Sequence, residues 1–161
     1  MNKDREQNIQ KALEHAYFFL KFRSRTEKEI RNYLLKKKRF KWGSDIIESV
    51  ISNLKEENLV NDKEFILKLV DERCKYKPKG EFALRYELIR HGVDRRLIDD
   101  YFLENPINEE KLAFKALSSK WHIFESLPLK KQFEKAIQFL GRRGFSYELS
   151  KNSIAQMHKR E

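Results

Sequence analysis

The sequence predicts an all-α protein of tandem three-helix repeats, and three observations carry that prediction. Apolar residues recur at helical spacing, no segment alternates apolar and polar residues between turn signals, and one unit recurs at about fifty-residue spacing. In that unit an amphipathic helix ends in a short basic or glycine turn, which leads through one hydrophobe into another helix. It reads Glu29-Ile30-Arg31-Asn32-Tyr33-Leu34 leading to Phe40 and Ile46-Ile47, then Leu84-Arg85-Tyr86-Glu87-Leu88 leading to Gly92-Val93 and Leu97-Ile98. Its third copy reads Phe133-Glu134-Lys135-Ala136-Ile137 and Leu140 leading to Gly144-Phe145 and Leu149. Units of this kind stack beside one another and present an elongated surface to a large partner. The expected divisions are residues 1–60, 61–107 and 108–161.

The first helix is expected from about Asn8 to Phe22, with Leu13, Ala16, Tyr17 and Leu20 at helical spacing. Ser24 with Glu27 and Thr26 with Glu29 offer two overlapping capping boxes, so a second helix starts here. Ile30, Tyr33 and Leu34 form its apolar face. The basic stretch Lys36-Lys37-Lys38-Arg39 suits the negative end of that helix, and Phe40 is expected to turn inward as a core plug. A third helix near Ser44 or Asp45 buries Ile47, Val50, Ile51 and Leu54.

Asn61-Asp62-Lys63-Glu64 is another capping box and launches Phe65, Ile66, Leu69 and Val70 on one face. Lys77-Pro78-Lys79-Gly80 forms a turn, because proline and glycine both discourage helix continuation. The next helix runs from Phe82 to Arg90, turns at His91-Gly92 and restarts behind Asp94 with Leu97, Ile98, Tyr101 and Phe102. Asn105-Pro106 ends it. The last repeat is expected to open with one helix from Glu109 to Trp121, continue from about Pro128, finish after Ser146 and fray beyond Ala155.

Lys plus Arg outnumber Asp plus Glu by 35 to 25, giving a formal charge of +10 and favouring an acidic surface or a phosphate backbone as partner. The single Cys74 excludes an intrachain disulfide and fits a reducing cytoplasm. The cluster Ala16-Tyr17-Phe18-Phe19-Leu20 is too short for a signal-peptide core, and nothing approaches the roughly eighteen apolar residues of a membrane span. No glycine-rich phosphate loop or dinucleotide fingerprint occurs, and His15, His91, His122 and His158 lack metal-ligand spacing. Adjacent carboxylates such as Glu56-Glu57 and Asp99-Asp100 diverge on a helix, and Cys74 has no base in view. The expectation is a non-enzymatic protein without cofactor or metal.

The basic surface then becomes the candidate site. Lys36, Lys37, Lys38, Arg39 and Lys41 surround Phe40 and Trp42, Arg90, Arg95 and Arg96 surround the middle turn, and Arg142-Arg143 occupy the last. Such charges suit phosphates or carboxylates on a filamentous partner, while the plain alternative is helix-end compensation and solubility. A helix-turn-helix DNA reader is the competing function. Its candidate recognition helices carry Asp94, Asp99 and Asp100 or Asp45 and Glu48, which disfavours reading of base edges.

The ordered features Arg23-Ser24-Arg25-Thr26-Glu27-Lys28-Glu29-Ile30, Leu59-Val60-Asn61-Asp62-Lys63-Glu64-Phe65, Arg73 and Gly80 are part of a wider pattern. Tyr86-Glu87-Leu88 with Gly92-Val93, and Phe139-Leu140 with Arg142-Arg143-Gly144-Phe145, complete it. From about Ala12 to Ile154 the chain resembles the RecX regulatory family, with Ile30 where that family has leucine and Ile66 where it often has a small residue. The resemblance implies a curved array that binds RecA filaments on single-stranded DNA and restrains their ATP hydrolysis and strand exchange in recombination and DNA repair. The accompanying expectation, apart from the resemblance, is a cytoplasmic monomer whose DNA contact is weak, nonspecific and secondary. The family pattern nominates Arg25, Arg73 and Arg142 or Arg143 as partner-facing; the basic patch nominates Lys37 and Arg39, and Arg85 joins them from the middle repeat.

Overall fold

A computed structural model describes residues 2–160 and shows an all-α chain of helices in tandem three-helix groups. The first group is α1 (Asn2–Leu20), α2 (Glu27–Leu35) and α3 (Ser44–Glu56); the second is α4 (Asp62–Tyr76), α5 (Glu81–Arg90) and α6 (Arg95–Glu104). The third is α7 (Glu109–Ser118), a single turn α8 (Trp121–Phe124), α9 (Leu129–Arg142) and α10 (Tyr147–His158). The chain forms two compact units, one running to Ile66 and including Ile89–Leu97, the other comprising Leu67–Leu88 and the residues from Ile98 onward.

In the first unit, Ala12, Leu13 and Ala16 of α1 meet Ile30 and Leu34 of α2 and Ile46, Ile47, Val50, Ile51 and Leu54 of α3 in one core. Every third or fourth residue points inward, which is the stripe needed by a helix that buries one face. Thr26 caps α2: its hydroxyl accepts from the Glu29 N–H at 3.2 Å while the Glu29 carboxylate accepts from the Thr26 N–H at 3.0 Å. Of the two overlapping boxes in the sequence, this one forms. Asp62 also accepts from the Glu27 N–H at 3.0 Å, satisfying another orphaned donor of the same helix.

The second unit has its own core of Leu112, Ala113, Ala116, Leu117, Trp121, Phe124, Ala136, Leu140, Phe145 and Ile154. The expected helix over Glu109–Trp121 is interrupted after Ser118. Ser118 and Ser119 turn their hydroxyls back onto the carbonyls of Phe114 and Ala116, at 2.8 and 2.7 Å, offering the backbone local bonds that compete with helix continuation. At the other end α10 does not fray at Ala155. It continues to His158, because Ile154 is buried and Met157 packs against the same core. Helix α1 likewise begins six positions before the expected Asn8.

The repeated turn has a sharper rule than the sequence suggested. In each group one residue with positive φ precedes a buried hydrophobe, which precedes the residue before the next helix: Lys41 (φ 46) and Trp42, Gly92 (φ 84) and Val93, Gly144 (φ 85) and Phe145. Trp42, Val93 and Phe145 are all buried, and α3, α6 and α10 start two residues after them. The plug of the first turn is therefore Trp42, which corrects the assignment of Phe40 to that slot. Residues 36–40 separate Leu35 from Lys41, whereas one residue separates Arg90 from Gly92 and Arg142 from Gly144. The first turn is thus four residues longer, five against one. Phe40 belongs to the extra length and remains 36% exposed.

Candidate partner-binding surface

The predicted cations of the first unit are organised by rings. Phe19 and Tyr33 stack at 4.1 Å between centroids with planes 2° apart. The Arg25 guanidinium lies 3.9 Å from the Phe19 centroid and the Lys37 ammonium 4.5 Å from that of Tyr33. Parallel rings at that spacing leave no room for a cation between them, so the two charges occupy the outer faces, where the ring quadrupoles attract them. Burial, with the nearby Arg23 charge, lowers the Arg25 pKa while Glu29 opposes it; a guanidinium remains charged through such a shift. Arg39 is exposed, 6.0 Å from the Phe40 centroid.

In the second unit two of the predicted cations sit inside ion pairs. Arg73 donates to the Glu87 carboxylate from Nη2 at 2.6 Å and Nε at 3.1 Å, and reaches Glu72 at 2.9 Å. Lys79 adds a second cation to Glu87 at 2.7 Å. Burial opposes ionisation of Glu87, but the hydrogen bonds and charges of Arg73 and Lys79 outweigh it and hold the carboxyl at a pKa of about 2. Arg85 bridges Glu81 at 2.7 Å and Asp99 at 2.6 Å and lies 4.8 Å from the Phe102 centroid. Arg143 sits 5.1 Å from the Phe139 centroid and donates to the Pro78 carbonyl at 3.4 Å, and burial lowers its pKa. Arg142, its neighbour, is exposed at the end of α9.

A cluster around His91 escaped the sequence reading. The Thr26 hydroxyl donates to the His91 carbonyl at 2.6 Å, and His91 Nδ1 lies 3.0 Å from Glu29 Oε1. Arg23 forms a two-pronged bond to the same carboxylate at 2.7 and 3.1 Å. Burial again opposes the charge on Glu29. Bonds from Arg23, His91 and the Thr26 N–H overcome it and lower the pKa to about 2, so the ionised carboxylate accepts and Nδ1 of His91 donates. The sequence showed only that His91 lacks metal-ligand spacing, because its partners here are 62 and 65 positions away, beyond any local pattern.

Exposed rings mark both units. Phe18 of α1 and Phe22, just beyond its end, meet edge to face at 5.3 Å in solvent, and Phe82 and Tyr86 stand one turn apart on the outside of α5. Such rings with bordering Arg side chains are the composition of protein interfaces. Among the described residues no group of three His, Cys, Asp or Glu could hold a metal ion, and no helix is long and apolar enough to cross a membrane. Burial and the Asp71 charge push the Cys74 thiol up, away from the thiolate form a nucleophile requires.

Residues 61–101 match the family model described as RecX, second three-helix domain. The regulatory protein RecX of Streptococcus thermophilus (strain ATCC BAA-491 / LMD-9) is 32% identical over 143 residues, covering 88% of this chain and 54% of that protein. The likeness to the RecX family extends over most of the chain. The RecX of Streptococcus agalactiae serotype III (strain NEM316) is 28% identical over 164 residues, covering 98% of this chain and 62% of that protein. The chain thus spans about half to three fifths of the length of these RecX relatives. The crystal structure of RecX from Lactobacillus salivarius superimposes with a TM-score of 0.75 at 20% identity, covering 95% of this chain and 98% of that one. A second crystal structure of regulatory protein RecX gives 0.73 at 22% identity over 92% and 73% of the two chains. These two likenesses concern the RecX fold.

Proposed function

We propose that this chain is a member of the RecX family, a cytoplasmic, monomeric regulator that binds RecA filaments on single-stranded DNA and inhibits their ATP hydrolysis and strand exchange. The observation that carries the reading is the 32% identity to a regulatory protein RecX across 88% of the chain. The surface chemistry supports it: exposed rings supply contact area, and a surplus of ten positive charges favours encounter with an acidic nucleoprotein. Regulation of this kind requires no catalytic residue, because a protein that binds one filament conformation more tightly than another shifts the population toward it.

In this reading residues 1–60, 61–107 and 108–161 act as the three repeats. Arg25, Lys37 and Arg39 meet the partner from the first and Arg142 and Arg143 from the third. Arg73 and Arg85 meet it from the second while held by their carboxylates. The test compares binding to single-stranded DNA, duplex DNA and a RecA filament assembled on single-stranded DNA with nucleotide, while following ATP hydrolysis in the last. Preferential filament binding with slowed hydrolysis is expected. Equal binding to naked DNA with no effect on hydrolysis would transfer the function to DNA itself.

A further inference from the structure

The four-residue excess in the first turn is not needed to supply the plug, since Trp42 occupies the position that Val93 and Phe145 hold elsewhere. Its composition is one-sided. Residues 36–43 contain five cations and no acid, and Lys36, Lys38, Arg39 and Lys41 are exposed with no ion pair among the described residues. Unpaired like charges on one short turn repel one another, and an anionic ligand removes that cost.

Phe40 stands in the middle of these charges as a supported ring. It lies parallel to Trp42, with centroids 4.6 Å apart and planes 3° from coplanar, while His15 tilts at 59° against it at 5.1 Å. The left-handed backbone at Lys41 reverses the chain so that Trp42 comes to lie against Phe40. One face of Phe40 is therefore backed by a buried indole and the ring keeps 36% exposure. A rigidly backed aromatic within a cluster of unpaired cations is the arrangement on which nucleic-acid bases stack while phosphates are neutralised nearby.

We propose that the turn between α2 and α3 is a single-stranded polynucleotide site, in which a base stacks on Phe40 and its flanking phosphates contact Lys36, Lys38, Arg39 and Lys41. A duplex keeps its bases paired and stacked on one another, so the ring selects single strands. DNA and RNA share the recognised chemistry of base face and phosphate. The site goes beyond the regulatory reading and operates without the recombinase, so its failure leaves that reading untouched.

The experiment measures the anisotropy of labelled oligo(dT), oligo(rU) and a matched duplex, each about 12 nucleotides or base pairs long, with the full chain alone. Both single strands are expected to bind at least about tenfold tighter than the duplex, with the tighter of the two identifying the preferred sugar. Phe40→Ala and Phe40→Leu are each expected to weaken single-strand binding roughly tenfold, and Phe40→Trp to restore it. Phe40→Leu keeps Trp42 covered, so an unchanged melting temperature separates lost stacking from lost folding. The log–log salt dependence should have a slope of about −3 for four cations and become shallower by about 0.7 for each one changed to glutamine. Duplex binding as tight as single-strand binding, or an unchanged affinity in both Phe40→Ala and Phe40→Leu, would overturn the proposal. Displacement of the oligonucleotide by poly-glutamate of equal charge would also overturn it and make the turn a site for an acidic protein.

Discussion

Arg25 and Lys37, twelve positions apart in sequence, cap the two outer faces of the Phe19–Tyr33 stack, at 3.9 and 4.5 Å from the ring centroids. One ring comes from α1 and the other from α2, so the stack ties the two helices and fixes where both charges stand. Each cation contributes about 0.5–1 kcal/mol through its ring. Arg25→Gln and Lys37→Gln should therefore each lower the unfolding free energy by less than about 1 kcal/mol while weakening filament binding several-fold. Tyr33→Leu removes the stack and should cost about 1 kcal/mol or more in stability, with both cations losing their fixed positions. Urea unfolding beside filament titration reads the two effects separately.

Acid should act through two carboxylates. Glu29 and Glu87 have folded pKa values of about 2 against an ordinary 4.5. A depressed folded value means that the unfolded chain takes up protons first, so the stabilisation is complete above about pH 4.5 and is lost as pH falls toward 2. The difference corresponds to at most about 3 kcal/mol for each group, reduced by the solvent that still reaches them. Urea midpoints should fall steeply between pH 5 and 2, and the combined Glu29→Gln and Glu87→Gln variant should show a flatter dependence at a lower starting stability.

Gly92 and Gly144 share a left-handed backbone but should respond differently to alanine. A Cβ at Gly144 would overlap the side chain and backbone nitrogen of Ala83, which have nowhere to go, whereas at Gly92 it would overlap the Cβ, Cγ and Cδ of Lys28, of which the outer part can swing away and no backbone atom is in the way. Both substitutions carry about 1 kcal/mol of backbone strain. Gly144→Ala should cost clearly more, about 2 kcal/mol or above, and thermal unfolding of the two variants side by side checks the order.

Thr26 has a double duty that a surface cap lacks. It is fully buried, caps α2 and holds the carbonyl of His91. Thr26→Val preserves shape but removes both bonds, and a loss of about 2 kcal/mol is expected, against about 1 kcal/mol for an ordinary cap. Thr26→Ser should recover most of it. A loss in Thr26→Val no larger than that of a solvent-exposed cap such as Ser146→Ala would show that the His91 bond adds nothing.

Leu88 and Phe145 separate core from surface. Both are buried, so Leu88→Asp or Phe145→Asp places a carboxylate without a partner in an apolar site and should abolish the cooperative melting transition. Arg142→Glu, at an exposed position, should leave the transition in place and weaken filament binding.

Much of the architecture was legible in local chemistry. The capping residues Thr26, Asn61 and Ser146 announced three helix starts, and Pro106 and Gly92 announced stops, because caps and breakers act within a few residues of backbone. The site was legible only as a list of cations. Arg73 and Arg85 look alike in sequence to Arg142, yet carboxylates 14 positions away hold the first two while the third stays exposed.

The sequence by itself determined helix content, most helix boundaries, the inward stripes of α2 and α3 and the basic character of the turns, since each depends on neighbours within one or two helical turns. Tertiary structure alone decided that Trp42 and not Phe40 fills the first plug, that Glu29 gathers Arg23 and His91, and that Arg25 and Lys37 share one stack. Phe40 and Trp42 are both aromatic, two positions apart and beside the same lysines. Which of them is buried depends on the left-handed backbone at Lys41 and on the space that α1 and α3 leave, and that space exists only once the helices have packed.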